Sequence, residues 1–162
     1  MTISDDILTT KKTSEVFRTN GGEGKLAVYM ADSPTIRSMT LKREIVSART
    51  AATLPGAPYS PAVKIGDLVF TAGELPDDSQ ADIKVQTRQA LDKIKVLLEA
   101  AGSSLNSVVK CTVYITNMDE FASMNEAYGE YFRDKPPART TVQVSRLARN
   151  ARIEIDAIGA VP

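Results

Sequence analysis

Two segments near the C-terminus carry the residue types and spacing best suited to chemistry. One, a strand over Thr140 to Val144, sets Val142 and Val144 on one side and Arg139, Thr141 and Gln143 on the other. The second, Arg152 to Ile158, sets Ile153, Ile155 and Ala157 against Arg152, Glu154 and Asp156. Arginine's planar fork can make two parallel charge-assisted hydrogen bonds to a carboxylate, and it stays charged at every physiological pH. A glutamate within reach can direct or activate water. An Arg at a strand start that pairs with any nearby acid fits the same pattern, so residue type alone does not choose between chemistry and a salt bridge. If helices cover the apolar side, the polar side is either solvated or the lining of an assembly.

Absences narrow the chemistry further. The 162 residues include no His, which removes the commonest metal ligand and the usual base of Ser or Cys hydrolases. The single Cys, Cys111, cannot form an internal disulfide, and its place in an alternating run reads as a buried strand position. Gly24-Lys25 has the look of a phosphate loop, but Leu26 stands where Ser or Thr must hold Mg²⁺, and the glycine spacing is wrong. Twenty Lys and Arg balance twenty Asp and Glu and are spread along the chain, which argues against a nucleic-acid partner. No apolar run approaches the roughly 18 residues of a membrane span. The acidic start, with Asp5 and Asp6, has no apolar core like a secretory signal and does not support a mitochondrial one, so a soluble cytoplasmic protein is expected, with a mitochondrial location as the alternative.

The elements that must position these residues lie beyond Met39. Residues 1–38 show no sustained periodicity and read as a poorly ordered N-terminal extension; 39–162 read as one domain. Glu44–Ser47 predicts a short strand, and Leu54–Pro61 a proline-rich loop. Ala62–Ile65 and Leu68–Thr71 predict strands joined by a tight turn at Gly66-Asp67. A helix from about Asp82 carries Ile83, Ala90, Leu91, Ile94, Leu97 and Leu98 on one face, and Gly102 stops it. A strand over Val108–Thr116 is followed by a helix from about Asp119 through Phe132, ended by Pro136 and Pro137. With the two final strands the order is β-β-β-α-β-α-β-β, an α+β domain with two helices on one face of a sheet. The short connection around Ser145–Ala151 predicts that the last two strands pair as an antiparallel hairpin.

Several segments, in order, resemble one family. Pro137-Ala138-Arg139-Thr140-Thr141-Val142 followed by Ile153-Glu154-Ile155-Asp156-Ala157-Ile158 is similar to the signature of the Rid (YjgF/YER057c/UK114) family. Ala57-Pro58-Tyr59-Ser60, Phe70-Thr71-Ala72-Gly73-Glu74-Leu75-Pro76 and Asn125-Glu126-Ala127-Tyr128 resemble its other landmarks, so the likeness spans roughly Leu41 to Val161. It implies a bacterial chorismate-mutase-like fold, a homotrimer with clefts between subunits, and hydrolysis of 2-aminoacrylate-type enamines and imines to 2-keto acids and ammonia.

By this resemblance Arg139 grips the substrate carboxylate, Glu154 orients water, and the backbone carbonyl of Thr141 holds the same water. Tyr59 lines the cleft, Gly73 admits the ligand to backbone N–H groups, and Asn125 matches a further position. Two departures stand out: Ala72 replaces a common Ser, and Glu74 a frequent Gln. No cofactor or metal is implied, because a preformed imine needs neither. A carboxylate-binding regulator without turnover, and the endoribonuclease or translation-inhibitor activity attributed to some relatives, are the competing readings.

Overall fold

A computed structural model describes residues 42–48 and 57–162. The extension expected over 1–38 and the start of the proline-rich loop, 54–56, lie outside them. The elements are β1 (Arg43–Val46), β2 (Ala62–Ile65), β3 (Leu68–Thr71), α1 (Ile83–Ala100), β4 (Val108–Ile115), α2 (Phe121–Tyr131), β5 (Ala138–Gln143) and β6 (Ile153–Ala160). Their order is the expected one.

Local chemistry accounts for the first helix. The Asp82 carboxylate caps it by accepting from the Val85 N–H at 2.9 Å. At the other end Gly102 adopts φ +82°, while Gly102 N donates to Glu99 O (3.0 Å) and Ser103 N to Leu98 O (2.8 Å). These two bonds satisfy carbonyls the helix leaves orphaned, and the left-handed turn favours a residue without Cβ. Between the caps Ala90, Leu91, Ile94, Leu97 and Leu98 are fully buried against Val69 of β3, Val113 of β4 and Ile153 and Ile155 of β6. Met124, Tyr128 and Phe132 of the second helical segment join the same core.

The six strands form one sheet in the order β1-β2-β3-β6-β4-β5. Here the hairpin expectation fails. Among the described residues β5 pairs with β4 alone, in parallel, while β6 runs antiparallel on β4's other side and also pairs with β3. The reason is α2: a helical crossover returns the chain in its starting direction, which makes β5 a parallel neighbour of β4. The chain then crosses the end of β4 to reach β6's place. Arg149 and Asn150 take left-handed φ values of 56° and 55° in that passage, and the Arg149 guanidinium donates to Pro76 O at 3.0 Å.

The facing of β5 is also the reverse of the expectation. Strand partners share a face, and Arg139 and Thr141 are in register with Cys111 and Val113, both fully buried under the helices. Arg139 and Thr141 therefore point to the helix side, while Val142 points to the open face and is 40% exposed. Glu154 and Asp156 do lie on the open face, as their alternation with buried Ile153, Ile155 and Ala157 requires.

Candidate active site

Arg139 sits on an edge strand. Its guanidinium carbon lies 4.6 Å from the ring centroid of Tyr128 and 5.6 Å from that of Phe121. Phe121, Asn125 and Tyr128 are spaced i, i+4, i+7 along α2, so Asn125 occupies the stripe between the two rings. Arg139 makes no salt bridge to an acid among the described residues. A half-buried cation without a partner, at the rim of the sheet, is a ready receptor for a carboxylate.

The same edge offers backbone groups. Val144 N donates to Ile115 O at 2.9 Å. Successive residues of a strand turn their N–H and C=O groups to opposite sides. Thr140 and Val142 therefore turn theirs toward β4, and Arg139, Thr141 and Gln143 turn theirs outward along the free edge. The Thr141 carbonyl is thus exposed in the plane where Arg139 emerges. Beneath it the Thr141 Oγ1 and the Tyr128 hydroxyl are buried with no oxygen or nitrogen hydrogen-bond partner among the described residues, a rare condition for polar atoms in a folded protein. Burial pushes the Tyr128 phenol up, and the adjacent Cys111 thiol adds to the rise. Cys111 is likewise raised by burial, so both groups are neutral beside the arginine.

A second group lies on the open face. Glu154 is raised from 4.5, first by burial and then by the Asp156 charge. Its side chain lies across Gly73: a Cβ built there would overlap Glu154 Oε1 and stand 2.8 Å from Cδ. The missing Cβ at Gly73 thus makes room for the carboxylate itself. The segment is fixed by reciprocal bonds between Glu74 and Ile155, with Glu74 N to Ile155 O at 2.8 Å and Ile155 N to Glu74 O at 3.2 Å. Ala72 is held by its N–H to Pro61 O at 2.7 Å, and Tyr59 is 55% exposed.

The sequence-named residues therefore fall into two groups rather than one. Arg139, Thr141 and Asn125 share the helix side of the β5 edge; Gly73 and Glu154 share the open face. Arg139 is level with Cys111 and Glu154 with Tyr114, with β4 between their strands. Two strand spacings of about 4.8 Å and three residues of about 3.3 Å put their backbones about 14 Å apart. They also stand on opposite faces.

Sequence reasoning missed the rings under Arg139, although the i, i+4, i+7 spacing of Phe121, Asn125 and Tyr128 carried the signal. It also missed where Glu74 points. Glu74 is buried on the helix side, and desolvation raises it to about 7, opposed by the Lys93 charge and helped by Asp77. Lys93, itself buried on α1, donates to Leu75 O at 2.8 Å and pairs with Asp77 at 2.5 Å. The departure from Gln at this position thus places an acid under the sheet rather than in the open-face group.

Fold and site together define a chorismate-mutase-like α+β protein that presents, among the described residues, an arginine without an acid partner at a sheet edge. The family profile described as Endoribonuclease L-PSP matches residues 49–161. A RutC family protein of Pyrococcus horikoshii is 49% identical over 122 residues, covering 72% of this chain and 96% of that protein. Escherichia coli TdcF, named as a reactive intermediate deaminase, is 40% identical over 114 residues, covering 64% of this chain and 88% of that one. Among solved structures, E. coli TdcF with bound serine matches with TM-score 0.67 at 36% identity, over 72% of this chain and 98% of TdcF. The E. coli YjgF product matches with TM-score 0.68 at 33% identity, over 74% and 99%. The chain belongs to this family, the Rid (YjgF/YER057c/UK114) family.

Proposed function

We propose that the protein hydrolyses 2-aminoacrylate-type enamines and imines to 2-keto acids and ammonia. The observation that carries this reading is Arg139, half-buried over two rings, at a free edge, without an acid partner among the described residues. The substrates pair a carboxylate with an electrophilic imine carbon. Arg139 takes the carboxylate in its fork. Water, held between the outward Thr141 carbonyl of one copy and Glu154 of a neighbouring copy, adds to the imine carbon. The carbinolamine then collapses, its C–N bond breaks and ammonia leaves as the carbonyl forms. Glu154, raised by burial, retains a proton closer to neutrality than a solvated glutamate, which suits a group that takes a proton from water and returns it to nitrogen. The serine bound by E. coli TdcF supports a small amino-acid-like ligand.

The separation of Arg139 from Glu154 favours sites shared between copies. A molecule the size of 2-aminoacrylate cannot touch both groups of one chain. The open face bears Ile45, Leu68, Phe70 and Val142, each 39% exposed or more, a surface suited to burial in an assembly. A closed homotrimer with this face toward its axis would set Glu154 and Gly73 of one copy against the β5 edge of the next.

The test uses Arg139→Ala and Glu154→Ala proteins, each alone reduced to a small residual rate of keto-acid release from freshly generated 2-aminoacrylate. Mixed oligomers that regain activity support shared sites. Verified mixed oligomers that stay dead overturn them. Wild-type protein that binds carboxylates without turnover would make it a binding regulator instead.

A further inference from the structure

We propose that Phe121 and Tyr128 are positioning residues for the reaction: their rings form a platform that holds the Arg139 guanidinium with its N–H donors free for the carboxylate. The inference rests on the reading of Arg139 as the carboxylate anchor. Arginine has a long flexible stem, and at an exposed strand edge nothing in the backbone dictates where its fork lies. Proteins often fix such a fork with an acid, but an acid would occupy the same N–H groups a substrate needs. An aromatic ring attracts the cation through its electron-rich face and uses none of the five donors.

The rings are themselves held. Tyr128 is 5% exposed and stacks on Phe132 with centroids 4.7 Å apart at 36°. Below it lies Cys111, in register with Arg139 on the neighbouring strand. Tyr128 and Cys111 are both raised by burial, so neither places a negative charge against the guanidinium. Phe121, one step out along the same stripe, is half-buried and completes the platform at 5.6 Å. Among the described residues the buried Tyr128 hydroxyl has no oxygen or nitrogen partner and abuts the Cys111 thiol, so the ring rather than the hydroxyl meets the guanidinium.

The experiment is calorimetric titration of the full chain with pyruvate, alongside steady-state kinetics. Phe121→Leu is the principal variant, because a half-buried position tolerates it. Loss of one ring is expected to weaken pyruvate binding and raise KM roughly fivefold, with kcat changed less. Phe121→Tyr should recover most of that loss. Tyr128→Leu should cost more, and Tyr128→Phe should recover it by restoring the ring. A folded Phe121→Leu protein with wild-type affinity, while Arg139→Ala loses pyruvate, overturns the platform and leaves the anchor standing. Equal pyruvate affinity in wild type and Arg139→Ala overturns the anchor, and the platform with it.

Discussion

Replacing Gly73 by alanine should separate fold from function. The new Cβ would overlap Glu154 Oε1 and lie 2.8 Å from Cδ and 3.0 Å from Cγ. These atoms are the far end of a flexible side chain, and Gly73 does not take a positive φ, so the backbone accepts alanine. The carboxylate must swing aside, at about 0.5–1.5 kcal/mol if it leaves its rotamer well. Alanine returns about 0.4–1 kcal/mol by restricting the unfolded chain. The two nearly cancel, and with roughly 4 °C per kcal/mol in a domain of this size the melting temperature should move by less than about 4 °C. Activity should fall far more, since a displacement of about 1 Å in a catalytic group can cost a hundredfold. Circular-dichroism melting and keto-acid release from 2-aminoacrylate read the two effects. The double variant Gly73→Ala/Glu154→Ala decides the cause: if alanine acts by displacing Glu154, it costs nothing further once Glu154 is gone. Costs that multiply would refute the reasoning.

Arg139→Ala should fold and lose about a hundredfold in kcat/KM, on the order of 3 kcal/mol, and Arg139→Lys should recover little because an ammonium lacks the fork; wild-type rates would remove Arg139 from the mechanism. Glu74, raised in the folded state from 4.5 to about 7, keeps a proton that the unfolded chain has released between those values. Stability from this group is therefore present below about pH 4.5 and lost as pH rises through 7, by up to about 3 kcal/mol. Glu74→Gln should flatten that decline in denaturant titrations at pH 5 and pH 8; an unchanged slope would rule the contribution out. Gln86 is fully buried, donating to Ser79 O (2.9 Å) and Ala81 O (2.8 Å) and accepting from Arg152 N (2.9 Å). Gln86→Leu should cost about 3 kcal/mol at about 1 kcal/mol per lost bond, or roughly 10 °C in melting temperature; a shift under 3 °C would show that water replaces those bonds.

The periodic content of the chain was legible without coordinates. Period-two runs marked β4, β5 and β6, a 3.6-residue stripe closed by Gly102 marked α1, and Pro136-Pro137 ended the second helical segment. These signals are local, arising from which side chains share a face within one element. The ordered motifs around Arg139 and Glu154 were legible for the same reason, as short strings of residues.

Which strand lies beside which is not local. The short link between β5 and β6 read as a hairpin, yet α2 had already committed β5 to run parallel beside β4, and β6 entered on β4's other side. Nor does alternation say which of its two faces is covered. Val142 seemed the inward residue by its chemistry, but at an edge strand under Phe121 and Tyr128 the covered place went to Arg139. Its stem packs inward while its charge rests on the rings and reaches the rim. Helix docking, a tertiary event, decided that facing. With it came the separation of Arg139 from Glu154 onto opposite faces of one sheet.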